Sequence, residues 1–83
     1  MKHRYLVVVE KGTRNYSAYA PDVPGCVSTG DSVSEALKTF QEVLQMHLEG
    51  TFEDNDPAPH PYSVAAEFVE VDVDVPATAA QEA

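Results

Sequence analysis

One amphipathic helix is the feature of this sequence that most limits its fold. Residues 32–35 form a capping box, in which Ser32 caps the first turn and Glu35 reaches back. Apolar side chains then recur at helical spacing along one stripe: Val33, Ala36, Leu37, Phe40, Val43, Leu44, His47 and Leu48. Gly50 predicts the end of the helix. A helix with a single apolar stripe packs on one face of a sheet, so the pattern requires strands elsewhere.

Four other segments have the composition of β-strands. The predicted strands cover residues 4–11, 15–20, 26–29 and 62–74. Residues 5–9 are apolar on both pleat faces, which is typical of a central strand. In the last segment Val69, Val71 and Val73 alternate with acidic residues, so one face packs and the other meets water.

The element order β-β-β-α-β places the chain in the α+β class. A helix between the third and fourth strands makes a right-handed crossover, which sets the last strand parallel to the first. We therefore expect a four-stranded sheet in the order 3-2-1-4 with one helix on one face. Residues 1–75 form the predicted domain, and residues 76–83 are expected to be a flexible tail.

The sheet face without a helix needs another cover. It exposes either Leu6 and Val8 or Val7 and Val9, because a shift of one residue exchanges the faces. A chain of 83 residues also buries only roughly 60% of its unfolded surface. A second copy of the chain is the simplest cover, so we expect a homo-oligomer.

Charge and cysteine content restrict the partners and the compartment. The net charge is −9, from 5 Lys and Arg against 14 Asp and Glu. This charge disfavours nucleic acid and anionic membranes as partners and favours a basic protein. The single cysteine, Cys26, cannot form an internal disulfide, and the longest apolar run near the start has five residues. We expect a cytoplasmic protein.

A tight turn precedes the third predicted strand. The turn motif consists of Pro21, Asp22, Pro24, Gly25 and Cys26. Pro24 and Gly25 fit the central positions of a type II turn, where glycine supplies a positive φ. Asp22 either stabilises this turn through its side chain or contacts a partner.

An ordered series of short motifs carries a family resemblance. The series is Tyr19-Ala20-Pro21-Asp22-Val23-Pro24-Gly25-Cys26, Thr29-Gly30-Asp31, Glu35-Ala36-Leu37, His47-Leu48-Glu49-Gly50 and a proline-containing loop at 57–61. With these motifs the chain resembles the HicB-like antitoxin family over residues 3–74. The resemblance implies a partial ribonuclease-H-like fold that is often dimeric or higher.

The resemblance also implies a function. Members of that family neutralise HicA, a small basic toxin that cleaves messenger RNA, by covering its active surface. Many of them carry a DNA-binding segment after the last strand. Only about eight residues follow that strand here, so we expect no direct nucleic-acid binding. The alternative is a solitary family member that acts as an interaction or regulatory module with another protein.

An enzymatic alternative is a Mg²⁺-dependent RNA-processing site, which needs converging carboxylates. Its possible members are Glu10, a helix glutamate and either Asp72 or Asp74. The helix glutamates point away from such a site, and the histidines and Cys26 lack zinc-ligand spacing. We therefore expect no catalysis, no metal and no cofactor.

The acidic residues of the helix and of the loop after it are the candidate toxin-binding residues, together with Asp22. The set is Asp22, Glu35, Glu42, Glu49, Glu53 and Asp54. The alternative for these charges is a plain solvated surface.

His47, in the apolar stripe, is expected to be half-buried with a local hydrogen bond, or else a pH-sensitive interface residue. Cys26 is expected to be a small packed residue.

Overall fold

The computed structural model of the chain describes residues 2–74 and 76. Its elements follow one another as β1 (Val8–Lys11), β2 (Tyr16–Tyr19), β3 (Val27–Gly30) and α1 (Val33–Glu53). The predicted α+β class is confirmed. β1 covers only the second half of the predicted strand 4–11, β2 lies within the predicted 15–20, and β3 is displaced by one residue. No helix in this part of the chain is long and apolar enough to cross a membrane.

The three strands form one antiparallel sheet in the order β1-β2-β3. The Gly12 N–H donates to the Asn15 carbonyl at 2.7 Å and closes the hairpin loop between β1 and β2. In the register, Tyr19 of β2 lies opposite Val8 of β1 and Val27 of β3. This arrangement agrees with the 3-2-1 part of the predicted strand order.

The predicted fourth strand is not formed in this structure. Residues 62–74 belong to no ladder, and every residue from 64 to 74 is exposed. The four-stranded order 3-2-1-4 and the ribonuclease-H-like fold are therefore not confirmed. The predicted tail, residues 76–83, lies outside the described residues except for Pro76, which is exposed.

The core lies between the sheet and α1. It consists of Ala18, Ala20, Val23, Cys26, Ala36 and Phe40. Val7 and Val9 pack against this core from β1 and the residues before it. Because successive side chains of a strand point to opposite faces, Leu6 and Val8 lie on the sheet face away from the helix. The sequence alone could not decide between this pair and Val7 with Val9.

The helix end differs from the prediction. The helix continues through Gly50 and ends at Glu53, with Asp54 as its C-cap. Asn55 follows in the left-handed region at φ 62°. The Asn55 N–H donates to Phe52 O at 3.0 Å, and the Asp56 N–H donates to Thr51 O at 3.0 Å. These paired bonds form a Schellman motif, so asparagine rather than glycine ends the helix.

The buried stripe of α1 is narrower than predicted. Ala36, Phe40 and Leu48 are buried and Leu44 packs against the core, a spacing of four residues. His47 is exposed, which contradicts the expectation of a half-buried side chain. The reason is the spacing of the buried row: with four residues between its members the row drifts around the helix, and at the level of His47 the buried position is Leu48, about 100° around the helix from His47.

Candidate functional site

The acidic helix face is the candidate site, and helical geometry creates it. Glu35, Glu42 and Glu49 are seven residues apart, and seven residues complete nearly two turns. Glu53 lies eighteen residues after Glu35, which is five whole turns. All four carboxylates are exposed on the side of α1 opposite the buried stripe. Together they line about 27 Å of the helix surface.

The charge on this face is unbalanced along the helix. Lys38 is the one cationic side chain within Val33–Glu53. The last turn carries no basic residue, although it contains Glu53 and precedes Asp54. The C-terminal end of a helix is the negative end of its dipole, so acidic groups there are unfavourable without a cation nearby. A basic partner would remove this penalty.

Two of the four carboxylates already have a partner within the chain. Glu35 accepts the Asp31 N–H, while Ser32 Oγ accepts the Glu35 N–H at 3.0 Å. These bonds confirm the predicted capping pair, although Glu35 reaches the residue before the cap. Glu49 accepts a hydrogen bond from the Gln45 Nε2 at 3.2 Å. Both contacts are at the surface, and both residues remain exposed.

Asp22 has a structural role that the sequence did not indicate. One of its carboxylate oxygens accepts the Ser63 N–H at 2.8 Å, and the other accepts the Ser63 Oγ–H at 3.1 Å. We call this pair the Asp22–Ser63 clasp. Nearby, the Tyr5 hydroxyl donates to the Pro59 carbonyl at 2.6 Å. The clasp engages both oxygens of Asp22 and sets this residue apart from the other candidates.

The turn motif has the predicted backbone. Gly25 adopts φ 91°, the positive value that a type II turn requires. The Val23 N–H donates to the Ala20 carbonyl at 3.1 Å, and Val23 is buried. Cys26 is buried as well, and this burial raises the pKa of its thiol. A buried and protonated thiol fits the expected packing role and not a nucleophile.

The residues that a metal would need are dispersed. In the described part of the chain, no group of three or more His, Cys, Asp or Glu is placed to hold a metal ion. His3 packs on Phe52 with ring centroids 5.5 Å apart. His60 packs on Tyr62 at 4.2 Å. These rings therefore serve aromatic contacts that sequence spacing does not indicate.

A second surface lies on the sheet face away from α1, here called the open sheet face. It consists of Leu6, Val8, Tyr19 and Val27. Val27 is 61% exposed, and the other three are partly buried. An apolar row across all three strands is typical of a surface that packs against another protein.

The chain matches one protein family along most of its length. The family is described as "HicB_like antitoxin of bacterial toxin-antitoxin system", and the match covers residues 5–78. This range includes β1, the turn motif, α1 and the acidic helix face. No solved structure matches the chain significantly.

Three relatives illustrate the range of similar proteins. An uncharacterized 14.9 kDa protein in the rep-hol intergenic region of Haemophilus phage HP1 is 42% identical over 55 residues, covering 66% of this chain and 41% of that protein. A UPF0150 protein of Synechocystis is 31% identical over 58 residues, covering 69% and 73%. Antitoxin HicB 1 of Photorhabdus laumondii is 36% identical over 70 residues, covering 84% and 44%. The chain thus spans less than half of the phage and Photorhabdus proteins.

Proposed function

The chain belongs to the HicB-like antitoxin family of bacterial toxin–antitoxin systems, and on this premise we propose that it is an antitoxin that neutralises a small, basic, mRNA-cleaving toxin of HicA type. It acts by covering the active surface of the toxin and catalyses no reaction itself. Because bacterial messenger RNA is in the cytoplasm, both the toxin and this antitoxin act there.

The observation that carries this proposal is the acidic helix face. A surface that binds RNA is basic because it must neutralise phosphates. Four exposed carboxylates along about 27 Å of a rigid helix offer a matching row of negative charge. Asp54 extends this row beyond the end of the helix. The carboxylates would occupy the toxin surface that otherwise holds the RNA backbone.

The physical role of these charges is mainly kinetic. Complementary charges accelerate encounter and fix orientation, and they add less to the final affinity. Exposed pairs are also screened by salt, with a Debye length of about 8 Å at physiological ionic strength. Tight neutralisation therefore also requires apolar contacts. Met46, 72% exposed on the outer side of α1, is placed to supply one.

The experiment that tests this proposal combines the chain with a HicA-type toxin. The toxin alone should cleave messenger RNA, and an equimolar amount of the chain should suppress the cleavage. Glu42→Lys combined with Glu49→Lys should slow association at least tenfold and weaken suppression. The measurement is an association rate by surface plasmon resonance at low and high salt, beside an RNA-cleavage assay.

A matched control separates local charge from total charge. The single variant Glu42→Lys is measured beside Glu10→Lys, because the two change the net charge equally, whereas Glu10 lies on β1 and not on the helix. Glu10→Lys should leave association nearly unchanged. If Glu10→Lys and Glu42→Lys slowed association equally, total charge alone would explain the effect and the acidic helix face would have no special role.

The second candidate function is a solitary HicB-like module that binds a different protein. The open sheet face supports it, because an apolar row can serve a partner of any charge. Affinity capture with the tagged chain distinguishes the two functions. A small basic protein at equal stoichiometry that salt releases supports the antitoxin, whereas a partner lost only on Val27→Lys supports the solitary module.

The same surface supports self-association of the antitoxin. Leu6, Val8, Tyr19 and Val27 leave an apolar row that one chain does not cover. We expect homo-oligomers under physiological conditions, as the thin core of a small domain favours. The partial ribonuclease-H-like fold implied by the family resemblance would further need a fourth strand beside β1.

A further inference from the structure

Residues 64–74, here called the acidic arm, leave the body of the protein. All eleven are exposed, including Val69 at 81%, Val71 at 75% and Val73 at 68%. The molecule measures 57 Å in its longest direction, and its radius of gyration is 17.0 Å. A compact chain of this length has a radius of about 12 Å. The arm thus places an alternating strand sequence in solvent.

The root of the arm is held in place. The Asp22–Ser63 clasp and the bond from the Tyr5 hydroxyl to Pro59 fix the chain just before residue 64. A cleft of about 450 Å³ lies between residues 4–7 and residues 61–64. In the described part of the chain, no ladder joins the arm or its root to residues 4–7 across this cleft. The arm then continues outward.

Among the described residues, β1 and β3 each have one edge without a ladder partner, and the β1 edge is the one on which the predicted order places a fourth strand. β1 pairs with β2 on one side only, and its other edge has no ladder partner among the described residues. The backbone N–H and C=O groups of this edge are a template for another strand.

Charge matches the arm to this edge. The arm carries Glu67, Glu70, Asp72 and Asp74 and no cation, for a charge of −4. The segment around β1, residues 2–14, carries four of the five Lys and Arg of the chain and one Glu, for a charge of +3. Those cations are Lys2, Arg4, Lys11 and Arg14. The acidic arm of one copy is therefore complementary to the β1 edge of another.

We infer that the acidic arm is exchanged between two copies of this chain. The arm of each copy pairs along the free edge of β1 in the other, and Val69, Val71 and Val73 extend an apolar row of the sheet they join. The exchange completes the order 3-2-1-4 in both copies, with the fourth strand supplied by the partner copy. This inference rests on the self-association part of the proposed function and does not depend on a toxin.

The first test removes one backbone donor from the arm. Val71→Pro deletes an N–H that a ladder needs, but it costs the isolated chain little because this residue is exposed and unpaired. Sedimentation should show a dimer for the natural chain and a dimer dissociation constant at least tenfold higher for Val71→Pro. Val71→Thr, which keeps the N–H and the β-branched shape, should remain dimeric.

The second test exchanges the charges. The arm variant carries Glu67→Lys, Glu70→Lys and Asp72→Lys, which turn the charge of the arm from −4 to +2, and the edge variant carries Arg4→Glu and Lys11→Glu, which turn the charge of residues 2–14 from +3 to −1. Each variant alone should be largely monomeric, because its arm and its edge now have the same sign. An equimolar mixture should form a one-to-one heterodimer, because each arm then meets an edge of opposite charge. An arm that folded on its own edge would show no such rescue, and that result would overturn the inference.

Other outcomes separate this inference from the broader proposal. A natural chain that stays monomeric at tens of micromolar would contradict both strand exchange and self-association. A dimer insensitive to Val71→Pro but dissociated by Val27→Lys would overturn strand exchange and leave the open sheet face as the interface. An arm protected from hydrogen exchange only after addition of a toxin would make the toxin its occupant and also overturn the inference.

Discussion

Gly30 and Ala36 lie so close together that a Cβ added to Gly30 would stand 2.5 Å from the Ala36 backbone nitrogen. Gly30 ends β3, and Ala36 is the first buried residue of α1. In the same corner, the Ser28 Oγ donates to the Ala36 carbonyl at 2.9 Å. The absence of a side chain at residue 30 thus permits the direct packing of β3 against the helix.

Replacing Gly30 by alanine should destabilise the fold. The new methyl group would contact backbone atoms, which cannot move aside as a flexible side chain can. Overpacking of this kind costs about 1–3 kcal/mol. Urea unfolding followed by circular dichroism should show this loss for Gly30→Ala.

Gly50→Ala is the matched control for this prediction. Gly50 lies inside α1, and a Cβ there would meet nothing within 4 Å. Alanine is favoured over glycine within a helix, so the free energy of unfolding should rise by up to about 1 kcal/mol. If both substitutions shifted stability in the same direction, the close contact of β3 and α1 would not explain the effect.

The Asp22–Ser63 clasp should control the mobility of the segment before the acidic arm. Asp22→Ala removes the acceptor of both hydrogen bonds, whereas Ser63→Ala removes only the hydroxyl donor. A hydrogen bond to a charged group contributes about 1.5–3 kcal/mol. The Ser63 amide should exchange its hydrogen roughly tenfold to a hundredfold faster in Asp22→Ala. In Ser63→Ala the amide at residue 63 should stay largely protected, and equal exchange in both variants would contradict the geometry of the clasp.

The Cys26 thiol should make stability fall at alkaline pH. Burial raises its pKa in the folded chain above the ordinary value of 9.0, so the unfolded thiol ionises first. The stabilisation is therefore complete below pH 9 and is lost as the pH rises through the folded-state pKa. Urea titrations from pH 8 to 10.5 should show a smaller decline for Cys26→Ala than for the natural chain. Parallel declines would show that other groups cause the alkaline loss.

Glu53 should oppose helix stability while supporting partner binding. It lies in the last turn of α1, where a negative charge meets the negative end of the helix dipole and the turn itself contains no basic residue. Glu53→Lys should raise the thermal midpoint of the isolated chain and slow its association with a basic toxin. Glu53→Gln should show both changes at about half the size. A variant that gained stability and lost no association rate would remove Glu53 from the binding surface.

Local sequence signals were sufficient where one short motif determines the backbone. The capping box placed the start of α1 at Ser32, and Pro24-Gly25 located the positive φ at Gly25. The end of the helix was predicted at Gly50 because glycine often ends helices. Its true signal was Asn55, which tolerates the left-handed conformation and allows the Schellman bonds.

Contacts between distant parts of the chain could not be predicted in this way. Asp22 and Ser63 are 41 residues apart, and neither residue type specifies the other as its partner. His47 falls within the predicted apolar stripe, but the residue buried at that level of α1 is Leu48, and His47 is exposed. The candidate acidic residues of the helix, in contrast, lie where periodicity placed them, because exposure on an amphipathic helix follows from its buried side.

The free edge of β1 has a consequence for how the amount of this protein governs its state. If each sheet is completed by the arm of another copy, the completed form grows with the square of the chain concentration. Dilution then leaves the arm and the edge open, and proteases preferentially cleave such extended, unpaired segments. A fall in synthesis would thus accelerate the proteolysis of the remaining copies, so the lifetime of the protein would depend on its own concentration.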